Sequence, residues 1–212
     1  MLDAAEGSRL PSIKEQAVYT AAGALAGAAI FPIELGSMLS SPTRIPISTL
    51  FRSHASIQVP RVALRFWTFD IVKSLLSGSA SEPPPPARTA LVGAVGGFSG
   101  GLTEVTYQAL VFDKRLPTLR ALAPHSSRLF FCFGTYNFLA ASLSNETPPR
   151  PFWYCWLMGS TAGATGSAII AAVSGLRGKN FLAATGKGAL VIGTVISVQV
   201  TSCAEALRRT GS

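Results

Sequence analysis

Charge is scarce in this chain, and negative charge scarcest. Only 10 of 212 residues are Asp or Glu, against 18 Lys or Arg, and charged residues make up 13% of the whole. That is about half the share of an ordinary soluble domain, so water is not expected to be the only solvent. Histidine is rarer still: His54 and His125 stand far apart with no acid beside either in the sequence, which excludes a metal site at ligand spacing. Cys132, Cys155 and Cys203 form no Cys-x-x-Cys pair. They read as small buried apolar residues, and neither a disulfide framework nor thiol redox chemistry is expected.

Catalytic motifs are missing as well. Gly186-Lys187-Gly188 lacks the loop and the hydroxyl of a phosphate-binding loop, and no Gly-x-Ser-x-Gly elbow occurs. The chain is not read as an enzyme, and no cofactor is expected. The net charge of +8 does not mark a nucleic-acid protein, because the aromatic residues lie within apolar runs rather than among the bases. Met1 to Gly7 holds two acids, no base and no apolar core, so it resembles neither a secretory signal nor an Arg-rich transit peptide.

Apolar sequence is abundant, at 48% hydrophobic residues. It gathers into six stretches, approximately 15–39, 55–77, 88–111, 121–143, 152–175 and 181–206, each near the ~20 residues that cross a bilayer as a helix. Proline divides them: Pro42 and Pro46 follow the first, Pro83 to Pro86 precede the third, and Pro148, Pro149 and Pro151 precede the fifth. Gly-x-x-x-Gly recurs as Gly23/Gly27, Gly93/Gly97 and Gly159/Gly163. An interval of roughly 65 to 70 residues fits a unit of two crossings plus loops. The expected fold is therefore an all-α membrane protein of six transmembrane helices, in three pseudo-repeats at about 15–80, 87–145 and 151–208. Small residues bring helix backbones together, so the glycines are read first as packing devices, and three similar faces favour a ring over a row.

Charge distribution gives a topology. Arg44, Arg52, Arg61, Lys114, Arg115, Arg120, Arg128, Arg177, Lys179 and Lys187 fall at loops after odd stretches or their flanks, with Asp113 opposing them. The positive-inside rule places that side in the cytoplasm or matrix and both termini opposite. Glu34, Arg61, Arg65, Glu104, Arg128 and Lys187 lie in or near apolar segments and must face protein or water. The two acids are open to a gate or proton-relay role, or to simple contact with headgroups. The bases, with His125, either line a cavity or snorkel to an interface.

The second stretch is more specific. Pro60-Arg-Val-Ala63-Leu-Arg-Phe66-Trp-Thr-Phe69-Asp70-Ile-Val-Lys73 resembles the even-helix signature of the mitochondrial carrier family, Pro-x-x-Ala-x-x-Phe-x-x-[Tyr/Phe]-[Asp/Glu]-x-x-[Lys/Arg]. Pro32-Ile33-Glu34 resembles its odd-helix Pro-x-[Asp/Glu], and Leu50-Phe51-Arg52 its Leu-Tyr-Arg turn. Phe133-Gly-Thr-Tyr136-Asn137 and Glu205-Ala-Leu-Arg208 are similar to later copies of the even-helix motif, the former with an amide for its acid. Leu102-Thr103-Glu104 stands as far from Gly93/Gly97 as Pro32-Ile33-Glu34 does from Gly23/Gly27.

This resemblance implies a six-helix bundle in the mitochondrial inner membrane, both termini in the intermembrane space, exchanging a small solute by alternating access. It implies gate charges at Glu34, Asp70, Lys73, Glu205 and Arg208, and entry into the organelle through internal signals. The repeats here are shorter than the family's, which carry a short matrix helix between odd and even spans, so those helices are expected to be shortened or missing. Counting back from Asp70, Asn137 and Glu205 to the family's substrate-contact positions gives Ile57, Pro124 with His125, and Ile192. None is a fixed charge, so neutral or cationic solutes are expected. Ser37 replaces the base after Glu34, and Ala140 the one after Asn137. These departures motivate an alternative, a carrier fold that has lost transport and serves as a subunit of a membrane complex. A third reading is an unrelated glycine-rich module, such as a translocase channel subunit. The expected partners are the lipid bilayer and either a solute or complex subunits, with no nucleic acid.

Overall fold

A computed structural model of the protein describes residues 11–39, 46–77, 84–143 and 150–210. Pro42, Arg44, Pro83, Pro148, Pro149 and the N-terminal heptapeptide lie outside the described residues. Every described element is helical: α1 (Ile13–Ala29), α2 (Phe31–Leu39), α3 (Ile47–Ser53), a π-helical turn (His54–Gln58), α4 (Val59–Ser77), α5 (Pro86–Val111), α6 (Leu119–Ser142), α7 (Phe152–Val173) and α8 (Gly178–Thr210). α1 and α2 form one bent rod, and α3 runs through the π turn into α4, so six long rods result.

The ends of these rods have local causes. Ser12 caps α1, its Oγ accepting from the Glu15 amide at 3.2 Å while Glu15 accepts from the Ser12 amide at 2.6 Å. Pro32 has no N–H to give Ala28, which breaks the ladder between α1 and α2. Pro85 and Pro151 stand at the N-caps of α5 and α7. The turns between α5 and α6 and between α7 and α8 are short, with Lys114 at φ 53° in the first and Gly175 at φ 73° in the second. No separate helix occupies either turn. In the first unit α3 is a seven-residue extension of the α4 rod.

The rods close into a ring. α1 packs on α4, α4 on α5, α5 on α6, α6 on α7, α7 on α8, and α8 returns to α1. Close approach is set by glycine, and the three units share one register. A Cβ on Gly23 or Gly27 would meet Val62 O at 3.3 Å and Val62 Cβ at 3.2 Å. On Gly159 or Gly163 it would meet Ile192 O at 3.3 Å and Ile192 Cβ at 2.7 Å. In the middle unit the matching pair is Gly97 and Gly101, against Leu129 O at 2.6 Å and Leu129 Cδ1 at 3.3 Å. Gly93, taken from sequence as the first member of that pair, lies instead against the Asn137 side chain one turn away. The straddled residues Val62, Leu129 and Ile192 belong to the central apolar cluster, with Phe66, Phe69, Phe133, Val195 and Ile196.

Three rods, Ile13–Ser37, Phe152–Val173 and Gly178–Arg209, are long and apolar enough to cross a membrane. The chain is therefore a multi-pass membrane protein by helix length and composition. α4, α5 and α6 have the length but dilute their apolar content with Arg61, Arg65, Asp70 and Lys73 on α4, Glu104 and several glycines on α5, and Arg120 and Arg128 on α6. Arg65 and Glu104 turn these charges into the bundle, being 5% and 1% exposed.

Candidate functional site

At the end of the bundle where α5 turns into α6, one carboxylate gathers three partners from two other helices. Glu104 on α5 receives Arg61 Nη2 at 2.9 Å on Oε1, and Arg65 Nη2 at 2.5 Å on Oε2. Arg65 Nε adds a second bond to Oε2 at 2.7 Å, and His125 Nε2 on α6 donates to the same oxygen at 3.0 Å. Arg61 and Arg65 are one helical turn apart, which lets a single acid reach both. Gly100 lets α5 approach that turn, since its Cβ would lie 2.7 Å from Arg65 O.

Arg128 on α6 feels the charges of Arg61, Arg65 and Glu104, yet no carboxylate lies within ion-pair distance of it among the described residues. Three bases against one acid leave two positive charges uncompensated, with His125 counted neutral. Arg61 Nε, Arg65 Nη1 and Arg128 Nε are buried without a hydrogen-bond partner. Beside the cluster lies a cavity of about 340 Å³, bounded by Arg61, by Gln108 and Ala109 of α5, by the 112–118 turn, and by His125. Arg115 and Asp113 pair at 3.5 Å on its exposed side.

A second pairing lies at the bend of the first rod. His54, buried in the π turn, places Nδ1 2.7 Å from Glu34 Oε2 and Nε2 2.8 Å from the Gly27 carbonyl. A carbonyl only accepts, so Nε2 carries a proton, and a second proton must sit between Nδ1 and Glu34. The imidazole caps the rod close to where Pro32 interrupts it. Both histidines thus find an acid in space although neither has one nearby in sequence. The π turn is the kind of local insertion that often accompanies function, but no sequence motif announced it.

The opposite end of the ring holds a pocket of about 190 Å³ lined from α1, α4, α6 and α8. Counting from Val62, Leu129 and Ile192 in the shared register, its lining comprises Phe66, Phe133 and Ile196; Phe69, Tyr136 and Gln199; and Asp70, Asn137 and Val200. Asp70 Oδ2 and Gln199 Oε1 are buried with no hydrogen-bond partner. Lys73 does not pair with Asp70; its Nζ lies over the Phe69 ring, 5.9 Å from the centroid. Tyr19 of α1 completes the lining, and Gln199 Nε2 donates to the Tyr19 carbonyl at 3.3 Å, tying α8 to α1.

The expected positions therefore separate into groups. Arg61, Arg65, Glu104, His125 and Arg128 come together. Lys187 does not join them: its Nζ donates to Ser37 Oγ at 3.3 Å, linking α8 to α2. Asp70 and Lys73 line the opposite pocket, while Glu205 bonds Arg208 and Arg209 on its own exposed helix end. Opposite Asp70 the shared register puts Val200, not Glu205. The same count from Val200 lands on Lys187 in place of Ile192, so one position previously without charge carries a lysine. The register also puts Glu104 a turn deeper than Glu34, although both stand equally far from the glycine pairs chosen in sequence.

Fold and site together define a multi-pass, all-helical membrane bundle with a polar cluster toward each end. The chain matches no family model, no curated protein and no solved structure.

Proposed function

We propose that the chain is a diverged mitochondrial-carrier-like protein that moves a small solute across the mitochondrial inner membrane by alternating access. On this reading all six rods cross the membrane, in pseudo-repeats 15–80, 87–145 and 151–208, with both termini in the intermembrane space. The observation that carries it is the shared glycine register within a closed ring, in which Val62, Leu129 and Ile192 are straddled alike. Such equivalence fits three copies of one two-helix unit around an axis, and the resemblance of Pro60 to Lys73 to the family's even-helix pattern supports it independently.

The placement of polar groups fits the same reading. The Glu104 cluster and the Asp70 pocket lie on opposite sides of the apolar layer formed by Phe66, Phe69, Phe133 and Ile196. A transporter that alternates needs a barrier between two accessible sites, and bulky apolar side chains supply one without fixed bonds that would have to break. Glu34 with His54 then acts near a Pro-marked bend, and Asp70 with Lys73 at the far gate. The test is uptake or exchange by purified protein in liposomes. Saturable uptake lost in Asp70→Asn supports transport; no uptake of neutral, cationic or anionic solutes by folded protein opposes it.

A second reading, a membrane-embedded subunit without transport, is favoured by one specific feature. Asp70, Asn137 and Val200 leave a single acid where a threefold gate would hold three. Migration of the mildly solubilised protein within a larger complex on a native gel, stable to dilution, would support that role. Migration near monomer size would support the independent carrier.

A further inference from the structure

The Arg61–Arg65–Arg128 cluster carries more than a structural ion pair requires. Glu104 alone satisfies one guanidinium fully in charge, and His125 contributes a further donor to it without adding an acid. Two uncompensated positive charges remain where Arg65 is 5% exposed. Removing such charges from water costs several kcal/mol per ion unless an opposite charge accompanies them. Three nitrogens, Arg61 Nε, Arg65 Nη1 and Arg128 Nε, are buried donors without acceptors. Arginine offers planar donor pairs that match carboxylate and phosphate oxygens. The adjoining cavity of about 340 Å³ provides room, with Arg61 and His125 on its wall, Gln108 and Thr118 as neutral polar neighbours, and the Asp113 carboxylate paired with Arg115 on its exposed side.

We infer that this cluster is an oxyanion-binding site, taking a carboxylate or phosphate group against Arg61 on the cavity wall, with Glu104 and His125 holding Arg61 and Arg65 in position and Arg65 and Arg128 adding positive charge behind the wall. The inference deepens the transport reading by naming a solute class, and it reverses the neutral or cationic preference drawn from Ile57, Pro124 and Ile192. It does not depend on transport, since a lipid headgroup offers the same chemistry as a free solute. The outer approach, past Arg115 and the 112–118 turn, suits either source.

The experiment measures thermal unfolding of the full chain in nanodiscs of neutral phosphatidylcholine, titrated with inorganic phosphate or succinate against chloride at equal ionic strength. A saturable rise in melting temperature with phosphate or succinate, absent with chloride, identifies a soluble oxyanion. A rise only when phosphatidic acid or cardiolipin enters the nanodisc identifies a lipid headgroup. Either supports the site, provided Arg61→Gln weakens apparent affinity about tenfold or more, the loss of one charge-assisted contact, while Arg208→Gln leaves it unchanged. Because the arginine variants can fail to fold, the unmodified chain decides alone: equal response to chloride and every oxyanion source overturns the proposal. Oxyanion binding without uptake would sink transport and leave this site standing; uptake of neutral solutes without oxyanion binding would do the reverse.

Discussion

The two ends of the bundle handle buried charge in opposite ways. At the α5–α6 turn, one carboxylate is saturated by two guanidinium groups and an imidazole, and the surplus is positive. At the other end, Asp70 keeps a buried oxygen unpartnered among aromatic rings, and its neighbour Lys73 turns to Phe69 instead. The first arrangement holds three helices together through Glu104; the second leaves a carboxylate oxygen on a pocket wall with no hydrogen bond across to another helix. A charge that is costly and structurally idle is the better sign of function, whereas a charge at the centre of a network serves both purposes.

Substitutions can sharpen this contrast. The largest effect is expected for Glu104→Gln, which leaves three buried bases without their acid. Unfolding of the detergent-solubilised protein should show a loss of about 3–5 kcal/mol, the range for breaking a buried ion pair. The same change at Glu205, on an exposed helix end, should leave the melting temperature unchanged; equal losses at the two sites would contradict the difference in burial. Gly97→Ala comes next. Its Cβ would lie 2.6 Å from the Leu129 carbonyl, a backbone atom that cannot step aside, so a loss of about 1–3 kcal/mol is expected. Gly186→Ala, with nothing within 4 Å, should instead stabilise α8 by roughly 0.5–1 kcal/mol. A loss at both would mean that helix approach does not depend on the glycine register.

His54→Phe removes the donors to Gly27 O and Glu34, for an expected loss of about 1–3 kcal/mol from unsatisfied buried acceptors. Asp70→Asn should behave in the other sense. Neutralising a carboxylate with one buried oxygen left without a hydrogen bond leaves stability unchanged or raises it by about 1 kcal/mol, while abolishing any solute flux. If Asp70→Asn instead destabilises the fold as much as Glu104→Gln, Asp70 is structural and the contrast between the ends disappears.

Much of this architecture was legible in the sequence because helix length and small-residue spacing are local properties. The apolar stretches locate five of the six rods to within a few residues and miss only the start of the second, which α3 extends back to Ile47, and Pro32 marks the bend in the first. Gly23/Gly27 and Gly159/Gly163 are the pairs that touch the next helix. Gly93 and Gly97 also pack on α6, but the pair in register with those two is Gly97/Gly101, because α5 carries a longer stripe, Gly93/Gly97/Gly101, toward α6 and a second, Gly96/Gly100, toward α4, and spacing alone does not choose among three glycines one turn apart. That one-turn slip in the odd helix has a counterpart on α8, where the charged Glu205-Ala-Leu-Arg208 resembles the motif but Val200 occupies its place in space. The charge cluster was assembled only in part: Arg61, Arg65, Glu104, His125 and Arg128 were each notable, but their meeting depends on three helices and on separations of 39 and 21 residues between Glu104 and its partners. His54 was missed because its acid arrives from across the bend, with no motif to link them.

The six rods close on themselves because α8 meets α1. The most direct measurement is cysteine cross-linking in membranes, with Cys132, Cys155 and Cys203 replaced by Ala and a pair introduced as Tyr19→Cys with Gln199→Cys. A short thiol cross-linker should join this pair as readily as the adjacent-helix control Thr68→Cys with Thr103→Cys, whose native hydroxyls lie 3.1 Å apart. Cross-linking of the control but not of the 19–199 pair, in folded protein, would leave an open row of helices and remove the shared axis on which the account rests.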